Sequence, residues 1–165
     1  MKDHILIINT GGTFNKYYDP VEGALKVDTE GKALKALASH WLCEFEIINI
    51  IAKDSLEMTS QDRLELLATI HRSECDKILI VHGTDTVHLS AEYLADADIG
   101  KVIVFTGAMV PYAFNPTEAT ANFAMAYGFL VGTDREGVHI AMHGSVAPYN
   151  RIYKDRKEGC FKLRA

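Results

Sequence analysis

Near the start of the chain four consecutive aliphatic residues, Ile5-Leu6-Ile7-Ile8, run through Asn9-Thr10 into Gly11-Gly12-Thr13. An unbroken aliphatic run of this kind reads as a strand buried on both faces, the condition of a parallel sheet. The glycine pair at its end permits a sharp turn and lets backbone N–H groups approach a ligand with no Cβ in the way. In open α/β sheets ligands bind where loops leave the carboxyl ends of strands. This turn, flanked by the hydroxyls of Thr10 and Thr13, is therefore the first candidate site. It lacks the G-x-G-x-x-G spacing of a dinucleotide loop, and no Gly-Lys-Ser/Thr follows to make a phosphate loop. What remains is a turn that presents Thr13 at a strand end, or a tight turn whose threonines are simply satisfied.

The pattern recurs along the chain. Residues 45–51 read as a second buried strand, followed by a loop holding Ser55. Lys77–Val81 is the third, ending at His82-Gly83-Thr84-Asp85-Thr86; residues 101–105 are the fourth, running into Thr106-Gly107-Ala108-Met109; residues 138–142 are the fifth. Helical periodicity falls between them at 32–40, 60–72, 87–95 and 118–131. Thr59 is a good N-cap with Asp62 three residues on, a near capping box, and Leu64, Leu67 and Ile70 share one helical face. Thr86 is placed to N-cap the next helix. Residues 14–25, with Tyr17 and Tyr18, read as an irregular polar lid. Residues 143–154 read as a loop and short hairpin, and Cys160–Leu163 as a short edge strand. The alternation predicts a three-layer α/β fold, a parallel sheet with helices on both faces, Rossmann- or flavodoxin-like, as a single domain over 1–165 with a short C-terminal hairpin.

A chain of 165 residues that is 48% hydrophobic and 24% charged can build one sizeable core. Its formal net charge of −5, with no dominant basic patch, argues against a nucleic-acid partner. No apolar run approaches the ~18 residues of a membrane span. Met1-Lys2-Asp3-His4 opens directly into a strand, with no visible signal peptide. Cys43, Cys75 and Cys160 are odd in number, widely spaced and without zinc spacing, so they read as reduced thiols of a cytoplasmic protein. Metal is a poor reading elsewhere too: His139 and His143 on one strand would stand about 13 Å apart at ~3.3 Å per residue. His82 and His88 straddle a strand end and a helix, and packed or surface roles suit all four histidines better. No Gly-x-Ser-x-Gly elbow is present.

The strand ends thus carry hydroxyls or a carboxylate at Thr13, Ser55 and Thr84-Asp85, and only backbone at Gly107-Ala108. Such a rim suits a small polar ligand. It also suits an activated threonine, because a hydroxyl is a weak nucleophile until a neighbouring base takes its proton. A lysine is such a base only when its pKa is lowered, by burial for instance. For Asp85 the plainer role is a carboxylate at a helix N-terminus.

Thr10-Gly11-Gly12-Thr13 after a first strand, with His82-Gly83-Thr84-Asp85-Thr86 after a third, resembles the bacterial-type L-asparaginase family. Gly107-Ala108-Met109 with Pro111 is similar to a third family segment, and Lys154 falls about where the family's catalytic lysine follows its fifth strand. The resemblance spans nearly the whole chain but only the N-terminal domain of the family. It implies hydrolysis of the side-chain amide of L-asparagine to aspartate and ammonia, with no metal or organic cofactor. Thr13 matches the nucleophile that forms a covalent acyl-enzyme, and Thr84, Lys154 and Asp85 match a second triad. Tyr18 is the match to a mobile-loop tyrosine, with Tyr17 as runner-up. Ser55 matches a serine that holds the substrate carboxylate, Asp85 a ligand of its α-amino group, and Thr84 and Ala108 further substrate contacts. Leu56 stands where a glutamine is common, and Asn15-Lys16 where small residues are usual. In the family a second domain from another subunit closes the rim, so a homodimer or higher homo-oligomer is expected. Two other readings stay open: the same mechanism on another amide, glutamine or a peptide-borne asparagine, and a non-catalytic amino-acid-binding module.

Overall fold

The aliphatic runs of the sequence lie side by side. The computed structural model describes residues 4–42 and 44–165; Met1, Lys2, Asp3 and Cys43, on which two of the readings above rest, lie outside the described residues. β1 (Ile5–Gly11) pairs in parallel with β4 (Glu46–Lys53) on one side and β5 (Lys77–Val81) on the other. β6 (Val102–Thr106) and β7 (Gly137–Met142) continue the parallel set, and β8 (Ser145–Pro148) lies antiparallel to β7 at the far edge. The six-stranded order is β4-β1-β5-β6-β7-β8. From β1 the chain moves outward to β4 and then crosses back to β5. Such a reversal opens a crevice at the carboxyl ends of the two strands beside it.

Successive side chains of a strand point to opposite faces, and the two faces carry different helices. Leu6, Ile8, Ile78, Ile80, Ile103 and Phe105 form one core with Leu66 and Ile70 of α2 (Ser60–Arg72) and Val87, Ala91 and Leu94 of α3 (Val87–Asp96). Ile5, Ile7, Leu79, Val81 and Val104 form the other with Leu34 and Leu37 of α1 (Lys32–Trp41) and Phe123, Ala126 and Leu130 of α4 (Pro116–Gly132). This is the three-layer α/β architecture expected from the sequence. β1, β5 and β6 are buried along their length. The strand expected at 45–51 is instead a half-exposed edge, because only β1 pairs with it. Among the described residues, no helix is long and apolar enough to cross a membrane.

Three local expectations are corrected. Residues 14–25 are not an irregular lid: a 3-10 turn at Thr13–Asn15 leads into an antiparallel hairpin of β2 (Lys16–Asp19) and β3 (Ala24–Val27). Asp19 closes its turn by accepting from the Val21 N–H at 2.9 Å, and Lys26 bridges Asp19 and Glu22. These polar contacts stabilise strands that have no aliphatic run to announce them. Leu64 faces solvent (46% exposed), whereas Leu66 is fully buried. The capping box of Thr59 and Asp62 fixes where α2 begins, and Lys53 of β4 donates to both Asp62 oxygens at 2.9 Å. The buried face of the helix is the one bearing Asp62, Leu66 and Ile70, spaced i and i+4. Finally, Thr86 stands at the N-cap of α3 without capping it; its Oγ1 donates to the Ser55 carbonyl at 2.7 Å instead.

The C-terminal stretch is more ordered than a loop. A turn at His143-Gly144 joins β7 to β8, a 3-10 turn follows at Tyr149–Arg151, and β9 (Ile152–Asp155) pairs antiparallel with β10 (Cys160–Leu163). Ile152 and Phe161 anchor this hairpin in the α2–α3 core. Cys75 and Cys160 are free thiols.

The phase of α2 is open to test. Leu66→Ala should cost about 2–5 kcal/mol, as for a buried leucine cut to alanine, and Leu64→Ala less than about 0.5 kcal/mol, both read from urea unfolding. Equal losses would mean that the helix buries the other face.

Candidate active site

The crevice at the carboxyl ends of β1 and β5 is lined by backbone. Gly11 and Gly12 adopt φ of +103° and +74°, a region that side chains disfavour. A Cβ on Gly12 would lie 2.4 Å from Gly83 Cα, and one on Gly83 would lie 2.6 Å from Ser55 Cβ. The turns after β1 and β5 and the turn carrying Ser55 after β4 therefore converge on Gly83. Thr13 directly follows Gly12, and Thr84 directly follows Gly83. The Gly12 N–H donates to the Lys53 carbonyl at 2.9 Å. Beneath the turn, Asn15 Nδ2 donates to the Gly11 carbonyl at 2.7 Å and to Asn9 Oδ1 at 2.8 Å, and all of these groups are buried. The turn is thus held on both sides, and Thr13 sits half-buried at its tip.

Thr84 is met from the opposite side of the rim. Lys154, on β9, donates from Nζ to Thr84 Oγ1 at 2.8 Å and to Asp85 Oδ1 at 2.8 Å. The Thr84 hydroxyl proton is directed to Met109 Sδ, 3.5 Å away. Asp85 has a second cationic partner. Arg156 donates from Nη1 to Asp85 Oδ1 at 2.7 Å and from Nη2 to the Asp85 carbonyl at 2.9 Å. The hydrogen bond from Lys154, joined by that from Arg156, holds the Asp85 carboxyl below the ordinary carboxylate range against the opposing effect of burial.

Two hydrogen-bond networks brace the rim, the first buried and the second half-buried. His82 Nδ1 lies 2.7 Å from the Gly83 carbonyl and so carries the proton, leaving Nε2 to accept from Ser90 Oγ at 2.7 Å. Ser90 Oγ in turn accepts from Arg63 Nε at 3.0 Å. Burial pushes the His82 pKa down to about 4, so the imidazole is neutral at pH 7. On the other side Glu118 of α4 accepts from the Met109 and Val110 N–H groups at 2.8 to 3.0 Å and from His143 Nε2 at 2.8 Å. His143 Nδ1 accepts from the Phe161 N–H at 3.1 Å. These bonds fix the loop that carries Ala108, itself fully buried. The two histidines are thus packed and hydrogen-bonded, as their positions suggested.

Of the candidate residues, Thr84, Asp85 and Lys154 meet directly, and Thr13 and Ser55 gather with them around Gly83. Ser55 Oγ accepts from the Thr86 N–H at 3.2 Å. Tyr18 is not brought to this cluster; it stands on the β2–β3 hairpin, 55% exposed. Its neighbour Tyr17 turns the other way and lines a groove with Ala33, Ala36 and Tyr112. Sequence reasoning missed Arg156, which lies in the turn just after β9, where no strand or helix periodicity marks it. It also missed Asn15 and the Glu118–His143 pair, whose partners lie too far away in the chain for any local pattern to show.

A mostly parallel sheet between helices, with hydroxyls, a lysine and a carboxylate gathered at its switch point, defines an α/β protein with a candidate site at the carboxyl strand ends. Residues 4–162 match the family described as Asparaginase, N-terminal, and the chain belongs to that family. Among curated proteins it is 28% identical over 151 residues to a subunit of the glutamyl-tRNA(Gln) amidotransferase of Haloquadratum walsbyi, covering 87% of this chain and 34% of that one. It is 30% identical over 156 residues to the corresponding amidotransferase subunit of Thermofilum pendens, covering 86% and 34%. The thermostable L-asparaginase of Thermococcus kodakarensis superposes with a TM-score of 0.82 at 24% identity, covering 96% of this chain and 50% of that one. L-asparaginase I of Vibrio cholerae superposes with a TM-score of 0.80 at 24% identity, covering 99% and 51%. The chain therefore spans about a third of the length of these curated relatives and about half that of the solved structures.

The His82 environment predicts an acid sensitivity of defined sign. Between pH 6.5 and about 4 the unfolded chain takes up a proton that folded His82 refuses, so stability falls as pH drops through that window, by on the order of 3 kcal/mol. The loss contributed by Asp85, whose pKa is lowered from 3.8, comes only at more acid pH. Urea unfolding across this range should show the fall in the wild type and a smaller one in His82→Asn, which keeps a donor toward Gly83. An unchanged slope in the variant would assign the effect elsewhere.

Proposed function

We propose that this strand-end rim hydrolyses a side-chain carboxamide, taking L-asparagine to L-aspartate and ammonia through a threonine acyl-enzyme. The observation that carries the reading is the pair of 2.8 Å bonds from Lys154 Nζ to Thr84 Oγ1 and Asp85 Oδ1, set beside the turn that presents Thr13. In this reading the Thr13 hydroxyl attacks the amide carbonyl. Its proton passes through the Thr84–Lys154 pair to the departing nitrogen, the C–N bond breaks, and ammonia leaves an ester on Thr13. Water then adds to the ester, the C–O bond to Thr13 breaks, and the proton returns to its hydroxyl. Asp85 stabilises the lysine ammonium each time it forms. Ser55, Asp85, Thr84 and Ala108 are the proposed substrate contacts, and Tyr18, on its exposed hairpin, the residue that closes over the amide. Similarity to the amidotransferase subunits favours a second reading within the same chemistry, in which the amide donor is glutamine or another amide.

Ammonia release from asparagine, glutamine and an asparagine-containing peptide tests the reading. Wild type should release ammonia and Thr13→Ala should not; equal release by both would end the assignment of Thr13. Lys154→Met and Thr84→Val should each lower kcat by ~100- to 10,000-fold, the usual worth of general acid–base assistance. Their combination should fall little further if they share one relay, and full multiplication of the two losses would count against it. Tyr18→Phe should lower turnover with folding intact.

A rim left open to water weakens every charge contact made there. We expect a second copy of the chain to close it, since symmetric dimers are the commonest closed assembly. Light scattering should give twice the chain mass. A monomer that still turns over asparagine with a low KM would refute this.

A further inference from the structure

Beside the Thr84–Lys154 pair the surface opens into a cavity of about 580 Å³ that both residues line. Its floor is apolar and includes Ile140, Ile152 and Phe161, all buried. Its rim is cationic. Lys154, Arg156 and Arg164 line it with His88, against one carboxylate, Glu92. This excess of positive charge stands out in a chain whose formal net charge is −5. Asp85 offsets only one of these charges, since Lys154 and Arg156 share its one carboxylate. Arg164 lies over the Tyr153 ring, 5.1 Å from its centroid, an arrangement that leaves in-plane N–H groups to donate. α3 begins at the same wall, and Asp85, just ahead of its first turn, lies at its N-terminal dipole as well as beside the two cations. His88 registers these charges: burial, then Arg156, with Arg63 and Arg164 behind it, holds its pKa below the ordinary value, against the pull of Glu92.

We infer that this cavity is a subsite for an oxyanion, a carboxylate or a phosphate, on the part of the substrate remote from its amide. Ile152 and Phe161 carry an apolar stem, and Arg156 and Arg164 receive the anionic end by charge-assisted hydrogen bonds. Calling its ligand a substrate rests on the amidohydrolase reading; the anion site itself does not. The substrate class it selects is an amide extended by an anionic group.

Calorimetric titration of the full chain at low salt near neutral pH, with inorganic phosphate in one arm and succinate in the other, tests the inference. One saturable site is expected, and the tighter ligand identifies the kind of oxyanion. Arg164→Gln and Arg156→Gln should each weaken binding about tenfold, the loss expected of a charge-assisted hydrogen bond, and Glu92→Gln should tighten it. No saturable uptake of either anion would overturn the subsite. So would binding that Arg164→Gln, a surface change remote from the core, leaves unaltered. Anion binding without ammonia release would remove the amidohydrolase reading and leave the subsite standing; ammonia release without anion binding would remove the subsite alone.

Discussion

Two glycine backbones in contact hold the site together. Gly12 and Gly83 approach so closely that a Cβ on the former would fall 2.4 Å from the Cα of the latter. That contact is set by the pairing of β1 with β5, in which Ile8 faces Ile80 and Asn9 faces Val81, and by Thr10, whose Oγ1 donates to the Val81 carbonyl at 2.8 Å. A slip of one residue would turn every aliphatic side chain of the strand to the wrong face, and would move Thr13 away from Thr84 in the same step. The register that builds the core is thus also the register that sets the turn before Thr13 against the turn before Thr84. A shift of pairing between β1 and β4 after Asn9 frees the chain to turn just before the contact, a common place for such irregularities.

The charges around Asp85 have a different logic. Its side chain is 28% exposed, and that of Arg156 is 59% exposed. Ion pairs so open to water contribute little to stability, so folding alone gives no strong reason for Arg156 to stand there. Its effect is local. It takes part of the carboxylate that Lys154 also uses, and it leaves the rim with more positive charge than Asp85 balances. Arg156 is already engaged by Asp85 through Nη1 and Nη2, so an anion approaching it competes with that carboxylate, as an ammonium approaching Asp85 competes with two cations.

Much of this was legible in the sequence, for physical reasons. Strands buried on both faces must be aliphatic throughout, so β1, β5 and β6 announced themselves, and glycines and hydroxyls at their ends marked the rim. The capping box of Thr59 and Asp62 marked the start of α2 to the residue. What stayed hidden depended on partners distant in the chain. The β2–β3 hairpin is closed by its own backbone pairing and has no fully buried residue, so its strands carry no aliphatic signature. Leu66 rather than Leu64 is buried, on the face that carries Ile70 into the core and Asp62 to Lys53, a partner distant in the chain. Arg156 looked like one charge among many in a charged tail, and only the folding of β9 against the rim sets it beside Asp85.

The same dependence on distant partners governs Lys154. Its hairpin lies outside the main sheet, so strand pairing with the core does not position it. Ile152 and Phe161 seat the hairpin in the hydrophobic core, and His143 does the rest. In one tautomer, Nδ1 accepting and Nε2 donating, that imidazole links the Phe161 N–H to Glu118, which clamps the Met109 and Val110 N–H groups. Met109 in turn faces the Thr84 hydroxyl. The loop after β6 and the hairpin bearing Lys154 are therefore tied through one side chain, and Thr84 lies between them. His143 adopts φ of +50°, a conformation that costs a residue of this kind about 1 kcal/mol or more and persists only where its surroundings over-determine it. Here they do: its N–H donates to Asn122 Oδ1 at 3.0 Å while both ring nitrogens are engaged. A lysine that must reach one hydroxyl from an outlying hairpin needs such a fixed point, and a strained, triply bonded histidine supplies it.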